Sequence, residues 1–318
     1  MKENFAIVGG AGFIGSHFVE ELLKNGHSVL VIDNFTSGTH DHIERYLQHP
    51  NFSLHNLDAR ETDKVAQLFQ DVDTVIHLAS NPDIAAAALE PRIDFLNGTV
   101  ITESVVEAAR RANVKTILYA SGSGVYGDAG NDLLIENSKI NPISTYGASK
   151  LAGESLLSSY SFMFGLRAIT FRFANVVGSM QTHGVGYDFL RKLKKNRNEL
   201  EILGNGSQSK SYVHVSDIVS GVLLAHEKCK EKYEIYNIST VSYLTVTEIA
   251  NLAVEISGLD IELVNYSYSG GDRGWKADIP VVRLSASKLM ALGWEPKFSS
   301  RDAMRESLIH MHNLIAKN

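Results

Sequence analysis

A strand, a glycine-rich turn and a helix open this chain and restrict the folds that it can adopt. Residues 5–8 form an apolar run, the segment 9–15 (GGAGFIG) follows it, and apolar residues recur at helical spacing through residues 16–25. A second apolar run, residues 28–32, ends at Asp33. An acidic strand end about 20 residues after a glycine turn is typical of a dinucleotide-binding βαβ unit. The opening segment therefore predicts such a unit.

Strand-like and helix-like segments continue to alternate up to residue 173. We predict further strands at residues 74–78, 116–120 and 167–173, and helices at residues 61–69, 97–112 and 146–164. Parallel strands need crossover helices of this length, and the helices then cover both faces of the sheet. The pattern predicts an α/β fold, namely a Rossmann-type doubly wound parallel sheet.

The last third of the chain departs from this alternation. Glycine-bearing loops follow Asn175, and short helices and one strand, near residues 262–265, come after them. We expect a smaller, mixed α/β C-terminal lobe that binds the substrate. The predicted dinucleotide-binding domain spans residues 1–176, with 212–240 returning to it, and the lobe comprises residues 177–211 and 241–318.

Charge and composition argue against several classes of partner. The net charge of -6 and the lack of a Lys/Arg-rich run predict no binding to nucleic acid or to an anionic membrane. Neither a secretory signal nor a membrane-spanning apolar run of ~20 residues is found, so we expect a cytoplasmic protein. The single Cys229 forms no intramolecular disulfide, and the 12 histidines lack ligand spacing, so no metal site is expected.

The glycine turn and the acidic residue after it favour NAD as the cofactor. Gly9 permits the turn, Gly12 lets the backbone approach a pyrophosphate, and Gly15 permits close packing of the helix, whose first amides are donors. A carboxylate at Asp33 accepts hydrogen bonds from the adenosine ribose and repels a 2′-phosphate, which argues against NADP. The predicted cofactor contacts here are Gly9, Gly12, Phe13, Ile14, Gly15, Asp33 and Asn34.

A tyrosine and a lysine stand four residues apart at the start of a predicted helix, so their side chains share one face. A tyrosine has an unperturbed pKa of about 10, but a nearby ammonium and an oxidised nicotinamide both stabilise its phenolate. We predict that Tyr146 exchanges a hydroxyl proton and that Lys150 lowers its pKa. The pair alone fits a packing tyrosine and a solvated lysine equally well, and the glycine turn upstream favours catalysis.

With these motifs the chain resembles the extended short-chain dehydrogenase/reductase superfamily, and within it the NAD-dependent nucleotide-sugar epimerases and dehydratases of the UDP-galactose 4-epimerase type. The resemblance covers nearly the whole chain. The motifs that carry it are GGAGFIGSH (9–17), VIDNFTSG (31–38), VIHLAS (75–80), NGT (97–99), VYG (125–127), YGASK (146–150), RFANVVG (172–178), YVHVSD (212–217), GDRGW (271–275) and LGWEP (292–296).

The resemblance also implies roles for residues outside the glycine turn. It implies that further cofactor contacts are made by Asp58 and Ala59 at the adenine, Leu78 and Ala79 along the pyrophosphate, and Asn97 near the nicotinamide, together with Tyr146 and Lys150. It implies that substrate contacts are made by Ser80, Ser123, Asn175, Lys210 and Arg273, with Asn175 and Arg273 at the diphosphate.

Two positions depart from the family pattern. Gly122 stands where the family has the Ser or Thr that serves as third catalytic hydroxyl, and of the flanking serines we favour Ser123 over Ser121 as its substitute. Lys210-Ser211 replaces an Arg-Asp pair, which exchanges a bidentate clamp on the diphosphate for a point charge. The acidic pair of the related 4,6-dehydratases and the glutamate of the glucuronate decarboxylases are also missing, since Ser123 and Gly124 stand there.

By this resemblance the expected reaction is epimerisation at C4 of a nucleotide-diphosphate hexose, most simply a UDP-sugar. Tightly bound NAD would take hydride from C4 and return it to the other face of a 4-keto intermediate, with Tyr146 as base. Alternatives are a C4 dehydrogenase that releases the ketone, a 4,6-dehydratase, and a non-catalytic NAD-binding regulator. The family also implies a homodimer that pairs helices 97–112 and 146–164.

Overall fold

The computed structural model describes residues 2–81, 86–275 and 277–317. The chain divides into two compact units. Unit 1 comprises Met1–Val125, Pro142–Arg172 and Val219–Tyr236, and unit 2 comprises Tyr126–Asn141, Phe173–Ile218 and Asn237–Asn318. This division differs from the predicted domain boundaries chiefly at residues 126–141, which join unit 2 rather than the dinucleotide-binding domain.

The strands are β1 (Asn4–Val8), β2 (Ser28–Asp33), β3 (Phe52–Asn56), β4 (Thr74–His77), β5 (Thr116–Gly122), β6 (Arg167–Phe173), β7 (Asn175–Val177), β8 (Glu199–Ile202), β9 (Ser209–Lys210), β10 (Tyr212–His214), β11 (Tyr233–Ile238), β12 (Leu244–Thr245) and β13 (Asn265–Tyr268). The helices are α1 (Phe13–Lys24), α2 (Thr62–Leu68), α3 (Arg92–Asp94), α4 (Ile101–Arg111), α5 (Thr145–Phe164), α6 (Val185–Lys195), α7 (Val215–Lys228), α8 (Val246–Ile256), α9 (Ser287–Met290) and α10 (Ser300–Lys317). In the part of the chain that the structure describes, none of these helices is long and apolar enough to cross a membrane.

A seven-stranded sheet forms the centre of unit 1, in the order β11-β6-β5-β4-β1-β2-β3. β1 pairs in parallel with both β2 and β4, and β2–β3 and β4–β5 are parallel as well. The strand order therefore reverses between β1 and β4, the position at which open α/β sheets bind their ligands. The predicted doubly wound fold is confirmed.

The core of unit 1 joins the sheet to the helices α4 and α5. Apolar residues of the strands, such as Val8 and Ile117, are buried against α4 residues such as Val105 and Ala109, and Leu157 of α5 joins the same cluster. The helical spacing of the apolar residues in α4 places them on its sheet-facing side. This packing holds α5, and with it the predicted Tyr146–Lys150 pair, against the sheet.

The predicted helix at residues 97–112 is interrupted in the structure. Its first part is a π-helical turn, Phe95–Val100, and the α-helix begins only at Ile101. A side chain at Gly98 would place its first carbon 2.6 Å from the hydroxyl oxygen of Ser149, so Gly98 allows α5 to approach closely. The hydroxyl of Thr102 also donates to the carbonyl oxygen of Gly98 at 2.7 Å.

The two edge strands of the sheet, β3 and β11, were not predicted. β3 reads FSLHN and its residues are exposed or half-buried, so it lacks the continuous apolar run that marks the central strands. β11 follows the helical segment that returns to unit 1. Both strands extend the sheet by pairing with a neighbouring strand. The residue pattern of one strand alone does not reveal such pairing.

Unit 2 is built from short strand pairs and three helices around a second core. β7 pairs with β10 and β8 with β13 in parallel, and β9 pairs with β12 antiparallel. Helices α6, α8 and α10 bury residues such as Leu193, Leu252 and Leu308. The predicted strand at residues 262–265 is instead a 3-10 turn, Ile261–Leu263, followed by β13.

Candidate active site

The glycine turn of unit 1 leaves no room for side chains. Gly9 has φ +87°, and a side chain there would place its first carbon 2.8 Å from the amide nitrogen of Ala79. A side chain at Gly15 would strike the carbonyl oxygen of Gly9 and lie 2.7 Å from the Cα of Gly10. Close backbone packing of this kind is what a dinucleotide pyrophosphate needs in order to approach the first amides of α1. The predicted cofactor contacts of the glycine turn and those at Leu78 and Ala79 thus lie together.

The end of β2 holds the carboxylate of Asp33 in place. Its Oδ2 accepts a hydrogen bond from the amide of Ala11 and its Oδ1 from the amide of Phe35, each at 2.9 Å. Burial raises the pKa of Asp33, while the two amide hydrogen bonds lower it. Each oxygen retains acceptor capacity for a ribose hydroxyl. Gly38 is also required here, since its first side-chain carbon would lie 2.9 Å from Oδ1 of Asp33.

The predicted adenine contacts lie after β3. Asp58 binds the guanidinium of Arg60 through both oxygens, and this hydrogen bonding lowers the pKa of Asp58. The side chain of Asn34 also hydrogen-bonds Asp58, and Ala59 is buried. Sequence reasoning missed Arg60, although its position two residues after an acidic candidate was visible.

Tyr146 and Lys150 occupy the first turns of α5, as predicted. Ser144 caps the helix by accepting the amide of Gly147 at 3.0 Å. Tyr146 is half-buried, and its side chain neighbours the hydroxyl of Ser80. Lys150 is only 3% exposed; its Nζ donates to the carbonyl oxygen of Ala120 at 2.7 Å and lies 5.6 Å from the centroid of the Tyr146 ring. Three predicted side chains, Ser80, Tyr146 and Lys150, are therefore close neighbours.

The protonation behaviour of this pair differs from the expectation. Burial raises the pKa of Tyr146 to about 12; the neighbouring hydroxyl of Ser80 lowers it and the charge of Asp94 raises it. Burial lowers the pKa of Lys150 to about 8, and the charge of Asp94 opposes that fall. Desolvation of the phenolate is thus the largest effect on the pKa of Tyr146 in the protein alone. The lowering of that pKa by Lys150 and the oxidised nicotinamide stays a prediction.

The two serines that flank Gly122 have different surroundings. The hydroxyl of Ser121 donates to Glu154 at 2.6 Å and is buried. Ser123 is half-buried and opens a 3-10 turn, Ser123–Val125. A side chain at Gly124 would lie 3.5 Å from the Cα of Gly147, so this turn packs against the start of α5. The choice of Ser123 fits these contacts because the hydroxyl of Ser121 is already engaged.

Asn97, the predicted nicotinamide neighbour, lies half-buried in the π-helical turn. One turn later, Thr102 lies 3.0 Å from Nε2 of the buried His77. Burial, with a contribution from the charge of Lys150, lowers the pKa of His77 to about 3, so this histidine is neutral at ordinary pH. His77 thus belongs to the sheet end that faces Lys150 and carries no charge there.

Unit 2 carries the three remaining substrate candidates. The side chain of Asn175 hydrogen-bonds Tyr212. Nζ of Lys210 donates to Oδ1 of Asp278 at 2.7 Å. The guanidinium of Arg273 donates to the carbonyl oxygen of Asp278 at 2.6 Å. Lys210 and Arg273 therefore converge on one residue of the same unit.

Two acidic partners of these cations were missed by sequence reasoning. Asp278 neutralises Lys210, and Asp128 binds the guanidinium of Arg273, which lowers the pKa of Asp128. Asp128 directly follows the VYG motif, which was the available signal. Both cations already have an anionic partner, so an anionic ligand would share them with a carboxylate.

Comparison with known proteins adds relatives over the whole chain. The sequence pattern of the NAD dependent epimerase/dehydratase family matches residues 5–239. A putative UDP-glucose 4-epimerase of Methanocaldococcus jannaschii is 30% identical over 313 residues, which cover 96% of this chain and 98% of the relative. More distant relatives include UDP-glucuronic acid decarboxylase 1 of Xenopus tropicalis, at 28% identity over 96% of this chain and 72% of that protein.

Solved structures agree with these matches. A UDP-galactose 4-epimerase is 35% identical, covers 98% of this chain and 99% of its own, and superposes with a TM-score of 0.88. The UDP-glucuronic acid 4-epimerase of Bacillus cereus, solved with UDP-glucuronic acid and NAD, is 25% identical with the same coverage of both chains and a TM-score of 0.89.

Proposed function

The chain belongs to the NAD dependent epimerase/dehydratase family, as its motifs predicted, and from this premise we propose that it is a nucleotide-sugar 4-epimerase. The family confirms the prediction of NAD as cofactor. The observation that carries the proposal is the group of Ser80, Tyr146 and Lys150 in unit 1, in which a hydroxyl neighbours the phenol and the buried ammonium, held by the carbonyl oxygen of Ala120, lies 5.6 Å from the centroid of the phenol ring.

The residues of the glycine turn and of the β2 end would hold the cofactor. The close backbone packing at Gly9 and Gly15 and the paired acceptors of Asp33 fit a pyrophosphate and an adenosine ribose. When bound, NAD supplies reversible oxidation at C4 of the sugar. Asp33 gives the preference for NAD over NADP, since its carboxylate repels a 2′-phosphate.

Tyr146 accepts the proton of the sugar 4-hydroxyl and later returns it. In the protein alone its pKa is about 12, so proton transfer depends on the positive charge of Lys150 and of the bound cofactor. The neighbouring hydroxyl of Ser80 lowers the pKa of Tyr146 and thereby favours the phenolate. Ser123 is the proposed second hydroxyl at the sugar, in place of the one missing at Gly122.

The substrate class follows from the relatives. The Bacillus cereus neighbour was solved with UDP-glucuronic acid, and the M. jannaschii relative is described as a UDP-glucose 4-epimerase. We infer a UDP-hexose, with Asn175, Lys210 and Arg273 as the proposed diphosphate ligands. Ser123 and Gly124 provide no acid to expel a 6-hydroxyl, which argues against dehydration.

A C4 dehydrogenase is the second candidate, and Gly122 favours it. Because the family's Ser or Thr hydroxyl is missing at Gly122, Ser123 is the one proposed hydroxyl that replaces it in positioning the 4-keto sugar for return of hydride to C4. Release of the ketone would leave the cofactor reduced after one turnover, so each enzyme molecule would form one ketone unless an oxidant were added.

The experiment is incubation of the purified protein, without added cofactor, with UDP-, GDP-, dTDP- and CDP-sugars, followed by mass and proton NMR of the products. An unchanged mass with inverted C4 supports the epimerase and identifies the sugar. A ketone in proportion to enzyme supports the dehydrogenase, and loss of water identifies a dehydratase. No change with any sugar, while NAD remains bound, would contradict both proposals and favour a non-catalytic NAD-binding protein.

A further inference from the structure

The carboxylate of Asp94 is buried in unit 1 at the end of α3, and only 1% of the residue is exposed. Its Oδ1 accepts a hydrogen bond from the side-chain amide of Asn81 at 2.8 Å. Its Oδ2 accepts one from the hydroxyl of Thr145 at 2.6 Å. Both oxygens of Asp94 thus accept a hydrogen bond, and a carboxylate in so buried a place requires such compensating partners.

The two donors to Asp94 lie next to the proposed site residues. One neighbours Tyr146, which carries the proposed catalytic phenol, and the other neighbours Ser80. Thr145 is the first residue of α5 and directly precedes Tyr146. Asn81 directly follows Ser80, whose hydroxyl neighbours the Tyr146 side chain. One carboxylate therefore connects the strand end that supplies Ser80 to the helix start that supplies Tyr146.

Asp94 also acts on the charges of the pair. Its negative charge raises the pKa of both Tyr146 and Lys150, against the lowering of the Lys150 pKa by burial. His77 from β4 and Tyr119 from β5 also interact with the pair. Burial keeps both uncharged, by lowering the pKa of His77 and raising that of Tyr119. Asp94 is thus the anion that acts on Lys150 among these groups.

We propose that Asp94 is a positioning residue that holds Ser80 against the start of α5 and supplies the buried negative charge that keeps Lys150 an ammonium ion. The proposal assigns a role to a residue that makes no contact with the reacting sugar. It rests on the proposed function, because it acts through Tyr146 and Lys150.

The first test needs neither substrate nor turnover. Protein labelled with carbon-13 in its lysines is titrated by NMR, and the Lys150 signal is assigned by its loss in Lys150→Met. Asp94→Asn keeps the shape and removes the charge, so the Lys150 titration midpoint should fall by about one pH unit. An Asp94→Asn midpoint equal to that of the wild type would overturn the proposal.

Thr145→Val is the matched control because it removes one hydrogen bond of Asp94 and leaves its charge. The Lys150 midpoint should not fall in this variant. An equal fall in Thr145→Val and Asp94→Asn would mean that lost packing, and not lost charge, moves Lys150, and would contradict the assigned charge. Asp94→Ser, which leaves room for water between the donors, carries the same prediction as Asp94→Asn if that variant does not fold.

The second test uses the pH profile of UDP-glucose and UDP-galactose interconversion. In Asp94→Asn the decline of the rate at high pH should move to lower pH along with the Lys150 midpoint, whereas a purely structural role would lower the rate equally at all pH values. A wild-type protein that turns over no nucleotide sugar would contradict the proposed function, and the lysine titration would still decide the role of Asp94.

Discussion

Arg172 and Glu154 form an ion pair buried in unit 1. Nε and Nη2 of Arg172 donate to Oε1 and Oε2 of Glu154 at 2.9 and 2.7 Å, and the side chains are only 1% and 4% exposed. The hydroxyl of Ser121 donates to the same Oε1. Glu154 therefore connects α5, the helix that carries Tyr146, to β6 through Arg172. It also connects α5 to β5 through Ser121, the residue that precedes Gly122.

Removal of one partner should destabilise the protein strongly. Glu154→Gln leaves the Arg172 guanidinium buried without its counter-ion, and we expect the free energy of unfolding to fall by about 3–5 kcal/mol. Urea denaturation at neutral pH measures this. Glu61→Gln, which removes the exposed partner of Lys64, is the matched control and should change the free energy by less than about 1 kcal/mol. Equal effects of the two substitutions would disprove the importance of burial here.

His77 predicts a loss of stability in acid. Its folded-state pKa of about 3 lies below the unfolded value of 6.5, so the unfolded chain binds more protons between these limits. The contribution of neutral His77 to the free energy of unfolding is complete above pH 6.5 and is lost as the pH falls towards 3. It amounts to about 2–3 kcal/mol between pH 7 and pH 4.5. In urea titrations His77→Gln should lose that much less stability than the wild type over this interval; parallel pH curves for the two proteins would refute the assignment.

Gly15 should be required for retention of the cofactor. In Gly15→Ala the added methyl group meets the backbone of Gly9 and Gly10, so the pyrophosphate site must open. We expect at least about a tenfold loss of NAD affinity, which is about 1.4 kcal/mol. Gly165→Ala is the control: Gly165, unlike Gly15, has a positive φ, so alanine strains the end of α5, but its side chain meets no atom within 4 Å and NAD affinity should stay unchanged. Calorimetric titration of NAD-free protein measures both, and unchanged affinity in Gly15→Ala would contradict the predicted site.

The carboxylate of Asp33 should determine the preference between the two nicotinamide dinucleotides. Asp33→Asn keeps an acceptor for the amides of Ala11 or Phe35 but removes the charge that repels a 2′-phosphate. The ratio of NAD to NADP affinity should fall about tenfold or more, measured by competition binding. Asp63→Asn, at an exposed carboxylate paired with Arg111, serves as the control and should leave the ratio unchanged. An Asp33→Asn ratio equal to that of the wild type would mean that another residue discriminates.

Sequence patterns predicted the parts of the protein that depend on local repetition. The glycine turn, the end of β2 and the Tyr146–Lys150 spacing are read from neighbouring residues, and the structure has each element in the predicted place. Contacts between distant segments determine the edge strands β3 and β11, the π-helical turn at Gly98, the buried Asp94 and the counter-ions Asp128 and Asp278. The direction of the Tyr146 pKa was likewise missed, because burial is a property of the fold and not of the spacing.

The most direct test of the proposed reaction follows deuterium at C4. UDP-glucose labelled with deuterium at C4 is incubated with the purified protein in ordinary water, with Tyr146→Phe as the matched variant. We predict UDP-galactose that retains the deuterium at C4, and at least about a hundredfold slower formation in Tyr146→Phe, as expected for loss of a general base. Loss of the deuterium to solvent, or formation at the wild-type rate in Tyr146→Phe, would contradict a reaction in which C4 is oxidised and reduced again within one site with Tyr146 as base.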